Sequence, residues 1–247
     1  MSASNIEIAE IDRVEIAVEP WVWEFARVRR DEIDRNFARR REARPALWND
    51  RVLLLHRYTV SDGVLRGACF ETDYASFLAW RDWDFPDAAV FNIFASAALR
   101  SADGAFLVGE MAPTTASAGY VYFPCGTPDL EDIGSDGALD LDGSVRRELM
   151  EETGLEIGEL DAGPGWTLVH ERGFLSLMKR LTARENAEAF RARIMRNIAK
   201  QLQPEFCDVR IVRGRSDLEA RMPQFLVAYL EDVWRSGDRT SLMRGHR

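Results

Sequence analysis

The segment Asp140–Ile157, which reads DLDGSVRRELMEETGLEI, constrains the fold and chemistry of this chain most strongly. It predicts a helix that ends at Gly154, because glycine favours the left-handed conformation just beyond a helix C-terminus. At about 100° per residue, Glu148, Glu151 and Glu152 fall on one face of that helix. Like charges on adjoining turns destabilise a helix by a few tenths of a kcal/mol per pair. A solvated surface, nearby arginines or a bound cation could each offset that cost.

The overall composition is that of an ordinary globular chain and excludes several classes of protein. The 247 residues are 46% hydrophobic and 30% charged, with a net charge of −9 and a pI near 5.0. This acidity argues against a duplex nucleic-acid binder, since such affinity comes mainly from Lys and Arg neutralising phosphates. No apolar stretch approaches the roughly 18 residues that a membrane-spanning helix needs. Neither duplex nucleic acid nor a membrane is therefore expected as a partner.

The cysteines and the N-terminal residues predict a cytoplasmic protein. The histidines bear on the kind of metal site that the chain could form. The three cysteines are scattered and are not in metal-ligand pairs, which is typical of a reducing compartment. The first ten residues contain acids and lack the basic-then-apolar order of a signal peptide. Because the chain has only three histidines, a histidine-rich zinc site is not expected.

Hydrophobic periodicity and turn signals predict strands and helices in mixed order, which is typical of an α+β or a layered α/β/α fold. The predicted elements are a helix over 20–43, a hairpin over 51–73, a helix over 74–83, two strands joined around 102–104, a strand entering a turn over 119–129, the acidic helix, strand over 165–182, and helices over 183–202 and 222–234. The first helix contains seven arginines between Arg27 and Arg41, interleaved with acids. That run indicates either a solvated, salt-bridged face or a patch that faces phosphate.

The sequence from Arg147 to Leu155, RELMEETGL, resembles the second half of the Nudix box, which reads Arg-Glu-apolar-x-Glu-Glu-x-Gly-apolar. Every fixed position of that half is present. At ordinary residue frequencies of about 6% for each of five fixed positions, the pattern would recur by chance in roughly one chain of this length in five thousand. An incidental glutamate-rich surface helix is therefore a poor explanation of the match.

The first half of the box departs from the family pattern. The family has a glycine fourteen residues and a glutamate eight residues before the arginine, and these positions are Ile133 and Leu139. The best substitute for the glycine is Gly126, which is 147 − 126 = 21 residues before Arg147 and implies about seven inserted residues. Asp140 or Asp142 could replace the missing glutamate, or could simply cap the N-terminus of the helix.

Resemblance to the Nudix superfamily implies an α/β fold in which a mixed β-sheet is sandwiched between helices, with the box forming a loop, a helix and a loop. Residues 87–247 are expected to form this domain together with the C-terminal helices. Residues 1–86 are expected to form a helix and hairpin segment packed on that core. A homodimer is an alternative to a monomer, because many relatives pair through their N-terminal segments.

The resemblance also implies divalent-metal-dependent hydrolysis of a pyrophosphate bond in a nucleoside diphosphate linked to another group, such as a sugar or a nucleotide. The cation would be Mg²⁺, with Mn²⁺ as an alternative. Its implied ligands are Glu148, Glu151 and Glu152, one of which could also act as the base, and Arg147 would orient a carboxylate.

Further acids from outside the helix could complete the site. The candidates in the sequence are Asp140, Glu171 and Glu205. Two other classes of function stay open. One is a Nudix-fold module that binds or senses a nucleotide with little or no hydrolysis, and the other is a structural protein with an acidic surface helix.

Overall fold

Two β-sheets contain all the strands of the computed structural model, which describes residues 6–45 and 47–244, with side chains described up to residue 237. The strands are β1 (Ile6–Ile11), β2 (Arg13–Val18), β3 (Arg51–Ser61), β4 (Val64–Asp73), β5 (Asn92–Arg100), β6 (Phe106–Met111), β7 (Val121–Tyr122), β8 (Asp161–Ala162), β9 (Trp166–Glu171), β10 (Phe174–Thr182) and β11 (Phe206–Val212). The helices are α1 (Glu24–Val28), α2 (Arg30–Ala43), α3 (Tyr74–Asp82), α4 (Leu141–Thr153), α5 (Ala187–Ile198) and α6 (Gln224–Arg244). Within these ranges no helix is both long and apolar enough to cross a lipid bilayer.

The larger sheet is mixed and has the strand order β1-β9-β10-β5-β6-β11, with β7 beside β6 and β8 beside β10. Strands β5 and β10 are parallel, whereas the other neighbours are antiparallel. Strand β5, with the sequence NIFASAALR, is buried over eight of its nine residues. Such a continuous buried run, without the alternation of a half-exposed strand, requires that both faces of the sheet be covered.

Helices cover the two faces of this sheet and build two separate cores. Ile93 and Leu99 of β5 share one core with Val145 and Leu149 of α4 and with the apolar face of α5. On the opposite face, Phe94 packs with the apolar residues at the start of α6. The result is a helix–sheet–helix sandwich, which confirms the predicted α/β/α fold with a mixed sheet.

The smaller sheet, with the order β2-β4-β3, is built from the N-terminal segment. Strands β3 and β4 form the predicted hairpin, and its turn residues Asp62 and Gly63 both have positive φ, as tight hairpin turns require. Leu53 and Leu55 of β3 belong to the same core as α4, whereas Leu54 faces a cluster that includes the buried residues of α3. The N-terminal segment therefore shares a hydrophobic core with the larger sheet.

Most of the predicted elements are confirmed, with differences at three places. The predicted helix over 20–43 is divided at Arg29 into α1 and α2. The predicted strand over 119–129 is reduced to the two residues of β7 and a single bridge at Cys125, because the prolines at 124 and 128 have no N–H to donate. Strands β1, β2, β8 and β11 were not predicted, and each of them pairs with a strand that is not its hairpin neighbour in the sequence.

Candidate metal centre

Helix α4 presents the acidic residues, and local chemistry fixes both of its ends. The Asp140 carboxylate accepts a hydrogen bond of 2.8 Å from the Gly143 N–H, so Asp140 is the N-cap. Gly154 has φ 65° and ends the helix in the left-handed conformation, as predicted. Val145 and Leu149 are fully buried and anchor the helix on the larger sheet. The acidic face of α4 is thereby held at a fixed position.

Two of the three glutamates are buried, and the loop after β7 closes over them. Glu152 is 1% exposed, and one of its carboxylate oxygens accepts a hydrogen bond of 3.0 Å from the Cys125 N–H. Glu148 is 8% exposed, whereas Glu151 is exposed. A Cβ at Gly126 would clash with Oε1 of Glu148. A larger residue at position 126 would therefore displace that carboxylate. Gly126 therefore lies directly against the Glu148 carboxylate.

The two buried carboxyls resist ionisation mainly because burial disfavours their charged form, and the neighbouring acids add to the effect. Burial, with the charges of Glu151 and Glu205, raises the pKa of Glu148 to about 7, and the Arg147 guanidinium only partly opposes this. Burial raises the pKa of Glu152 well above its usual range, and the charges of Glu148 and Glu205 add to the effect. A cation bound among these groups would relieve both costs.

Arg147 is the one cation hydrogen-bonded to this cluster among the described residues. Its Nη1 donates to Glu148 Oε1 at 2.9 Å and to Glu151 Oε2 at 3.4 Å. Its Nη2 donates to Asp132 Oδ2 at 2.8 Å. Burial opposes the charged form, yet Glu148, Asp132 and Asp129 raise the pKa of Arg147 above its usual value. A single guanidinium thus contacts acids on both α4 and the preceding loop.

Asp132 is a residue of the site that sequence reasoning missed. It lies in a short 3₁₀ turn, Leu130–Asp132, and is 3% exposed. Burial raises the pKa of Asp132, although Arg147 and a backbone N–H partly offset the effect. A signal was available: the family spacing from glycine to glutamate is 14 − 8 = 6 residues, and 132 − 126 = 6. The seven extra residues then lie at 133–139, termed the insert below.

The two aspartates expected as substitutes for the box glutamate have other partners. Asp140 caps α4, as described above, and its exposed carboxylate also lies 3.5 Å from Arg146. Asp142 forms an ion pair of 3.2 Å with Lys179 of β10. The capping role considered for Asp140 is therefore confirmed, and Asp132 holds the contact with Arg147 instead.

Of the two remaining candidate acids, Glu171 and Glu205, one joins the cluster. Glu205 precedes β11, and its charge acts on both Glu148 and Glu152. Partial burial and the charge of Glu151 raise the pKa of Glu205 in turn. Glu171 does not join, because it ends β9 and its carboxylate accepts a hydrogen bond from the backbone of Phe225, at the start of α6 on the opposite face. Glu171 therefore lies apart from the cluster.

The donor set fits a hard divalent cation in its chemistry. Mg²⁺ and Mn²⁺ prefer carboxylate oxygens, and Glu148, Glu151, Glu152 and Glu205 supply such donors. Across the residues that the structure describes, no three His, Cys, Asp or Glu side chains stand together as a ready-made metal-binding group. Two of the glutamates instead share Nη1 of Arg147. Cation binding would therefore compete with this guanidinium for the same oxygens.

Comparisons with known proteins find similarity in structure only. No protein-family model matches the sequence, and no curated protein matches it. A Nudix hydrolase from M. smegmatis, RenU, aligns with a TM-score of 0.39 and 16% identity over 61% of this chain and 89% of that chain. The MutT protein from Methanosarcina mazei Go1 aligns with a TM-score of 0.39 and 19% identity over 60% of this chain and 95% of that chain.

Proposed function

We propose that this protein is a Nudix-type hydrolase that uses Mg²⁺ or Mn²⁺ to cleave the pyrophosphate bond of a nucleoside diphosphate derivative. One observation carries the proposal: the complete RELMEETGL motif forms the end of α4, and two of its glutamates are buried in a carboxylate cluster whose acids share Arg147. A purely structural acidic helix would expose these groups to water, because unpaired burial of carboxylates is costly.

The residues that would hold the cation are Glu148, Glu151 and Glu152, with Glu205 as a further acid. When bound, the cation would neutralise negative charge on the pyrophosphate oxygens, which otherwise repel an attacking nucleophile. Hydrolysis also requires a group that accepts a proton from water. One of Glu148, Glu151 and Glu152 would take that role, because a carboxylate beside the cation lies within reach of a water molecule that the cation holds.

Other parts of the chain hold these groups in place. The Cys125 N–H fixes one oxygen of Glu152, and Gly126 leaves the space that the Glu148 carboxylate occupies. Arg147 balances charge on the acids that surround it. Positioning of this kind accounts for a large share of catalysis in phosphoryl chemistry, since a preorganised site needs little rearrangement during the reaction.

A module that binds a nucleotide without cleaving it is the second candidate. The observation that favours it is that Arg147 already occupies oxygens of Glu148 and Glu151, which a catalytic cation would need. In that case the arginine would serve as a permanent counter-ion. The two candidates differ in whether Mg²⁺ produces turnover.

The test is a panel of nucleoside diphosphate sugars, dinucleotides and nucleoside triphosphates, assayed for release of nucleotide or phosphate with Mg²⁺, with Mn²⁺ and with chelator. The proposal expects metal-dependent cleavage of at least one class, which is abolished by chelator. Tight nucleotide binding without turnover on every member of the panel would support the second candidate instead.

A further inference from the structure

The insert is a small hairpin that projects from the loop before α4. Ile133 and Leu139 form an antiparallel bridge at its base. The Gly134 N–H donates to the Ala138 carbonyl at 2.8 Å, and Gly137, with φ 77°, makes the turn. The seven residues therefore have a defined backbone structure and are not a simple extension of the loop.

This hairpin docks on the outer edge of the smaller sheet, along β2. Ala138 and Ala17 form an antiparallel bridge. Hydrogen bonds flank this bridge, from the Val18 N–H to the Gly137 carbonyl at 3.3 Å and from the Leu139 N–H to the carbonyl of residue 16 at 2.9 Å. The insert thereby adds to the edge strand of a sheet that the N-terminal segment builds, which also covers part of that exposed edge.

The other end of the loop is attached to the same sheet. The Leu53 N–H of β3 donates to the Pro128 carbonyl at 2.8 Å. Between the two attachments lies Asp132, whose carbonyl accepts from the Asp140 N–H at 2.8 Å and whose carboxylate accepts from the Asp129 N–H at 3.0 Å. Asp132 is thus held in place through both its backbone and its side chain. Its carboxylate is therefore a fixed acceptor for the Arg147 guanidinium.

Arg147 transmits that constraint to α4. The guanidinium is planar and rigid, so fixing Nη2 on Asp132 also fixes the direction of Nη1. Nη1 is the atom that contacts Glu148 and Glu151. The position of Asp132 therefore decides where the charge of Arg147 meets the glutamates.

We propose that the insert and the N-terminal sheet position the carboxylate cluster, with Asp132 as the positioning residue through which they act on Arg147. The inference rests on the proposed function in that the cluster is taken to bind a cation. The N-terminal segment would then contribute to cation binding indirectly. Strands β2 and β3 hold the loop that contains Asp132, and this loop aligns the glutamates that would bind the cation.

The first experiment measures Mn²⁺ affinity by calorimetry for the wild type, Asp132→Asn and Glu131→Gln. Asp132→Asn keeps the shape of the side chain and removes its charge, so Mn²⁺ affinity should fall about 10- to 100-fold, as for other residues that orient metal ligands. Glu131 is the matched control, since it is exposed in the same turn and is not hydrogen-bonded to Arg147 through its side chain. Asp132→Glu should restore part of the affinity.

The second experiment changes the contact with β2 at a distance from the cluster. Val18→Pro removes the N–H that bonds to Gly137 and should also weaken Mn²⁺ binding. Ala17 and Ala138 are a non-hydrogen-bonded antiparallel pair, which places their side chains close enough for a disulfide. Adding Ala17→Cys and Ala138→Cys to Val18→Pro, in a Cys207→Ser background, should restore affinity when oxidised and lose it again with reductant.

The outcomes separate this inference from the proposed function. Equal Mn²⁺ affinity of Asp132→Asn and Glu131→Gln, in proteins with unchanged melting temperatures, would overturn the positioning role even if the wild type hydrolyses its substrate. Mn²⁺ binding that depends on Asp132 and on the Ala17–Ala138 link, in a protein with no turnover, would support the positioning role and overturn the hydrolase proposal. If Val18→Pro does not fold, the Asp132 comparison alone decides.

Discussion

Helices α2 and α4 are both rich in charge, yet their charges are arranged in opposite ways. At the start of α2, arginines pair with nearby acids at the surface: Arg29, the residue before the helix, with Glu32 at 2.5 Å and Arg30 with Asp34 at 2.9 Å. On α4, two glutamates are buried, and Arg147 is the one arginine shared among the surrounding acids. Four arginines of the predicted run, at 27, 29, 30 and 40, therefore pair with acids, as the salt-bridged interpretation of the sequence expects.

The comparison shows that burial and charge imbalance distinguish a candidate site from an ordinary charged surface. The Arg29 guanidinium lowers the pKa of Glu32, because an exposed ion pair favours the charged form. Burial raises the pKa values of Glu148 and Glu152 instead. Charged residues along a helix can thus be tolerated in one place and destabilise the protein in another.

The largest expected effect is that of Glu152→Gln on hydrolysis. Loss of a buried carboxylate from the proposed ligand set should lower kcat/KM by at least about 100-fold, measured on whichever substrate the wild type cleaves. Glu32→Gln on α2 is the control and should leave kcat/KM unchanged. Equal activity of both variants and the wild type would remove the distinction between the two helices.

The metal-free protein should lose stability as the pH rises. Glu148 has a folded pKa of about 7 against 4.5 in the unfolded chain, so its contribution is fully present below pH 4.5 and is lost as the pH rises through 7. The difference corresponds to about 3 kcal/mol of unfolding free energy, and Glu152 acts in the same direction. Urea denaturation with chelator at several pH values should show a decline that is clearly smaller in Glu148→Gln. An identical slope in that variant would contradict the raised pKa.

A smaller effect is expected from Gly126→Ala. The new Cβ would meet the end of the Glu148 side chain, which can move aside, so the melting temperature should change little. The displaced carboxylate should weaken Mg²⁺ binding about 10-fold, as measured by calorimetry. Gly158→Ala is the control, because no atom lies within 4 Å of its added Cβ. Wild-type Mg²⁺ affinity in Gly126→Ala would show that the loop does not set the position of Glu148.

The smallest effect is expected on α2. Glu32→Gln breaks an exposed ion pair with Arg29, and such pairs contribute little to stability. Its melting temperature should be indistinguishable from that of the wild type, and its stability should keep the wild-type dependence on pH. A marked loss of stability would mean that α2 is not an ordinary solvated face.

The parts that the sequence predicted are those with local causes. The caps of α4, its apolar face and its row of glutamates all lie within one stretch of the chain, so spacing alone was sufficient. The hairpin of β3 and β4 was likewise marked by its own turn residues, Asp62 and Gly63. The α/β/α layering followed from the order of these elements.

The remaining parts depend on contacts between distant segments. Asp132 is recognisable only once Gly126 is accepted as the box glycine, and its burial depends on strands that are far away in the sequence. Glu205 joins the cluster because β11 pairs with β6, and strand β11 was not predicted. Strand β2 was missed for the same reason, since its edge is defined by β4 on one side and the insert on the other.

The most direct test of the central claim is the effect of Mg²⁺ on folding stability at pH 8, compared between the wild type and Glu152→Gln. If α4 carries a cation site, Mg²⁺ at about 100 times its dissociation constant should stabilise the wild type by about 2.7 kcal/mol. Glu152→Gln should be more stable than the wild type in chelator and should gain little from Mg²⁺. Equal stabilisation of both proteins by Mg²⁺, or none in the wild type, would contradict the claim that the buried glutamates of α4 bind a divalent cation.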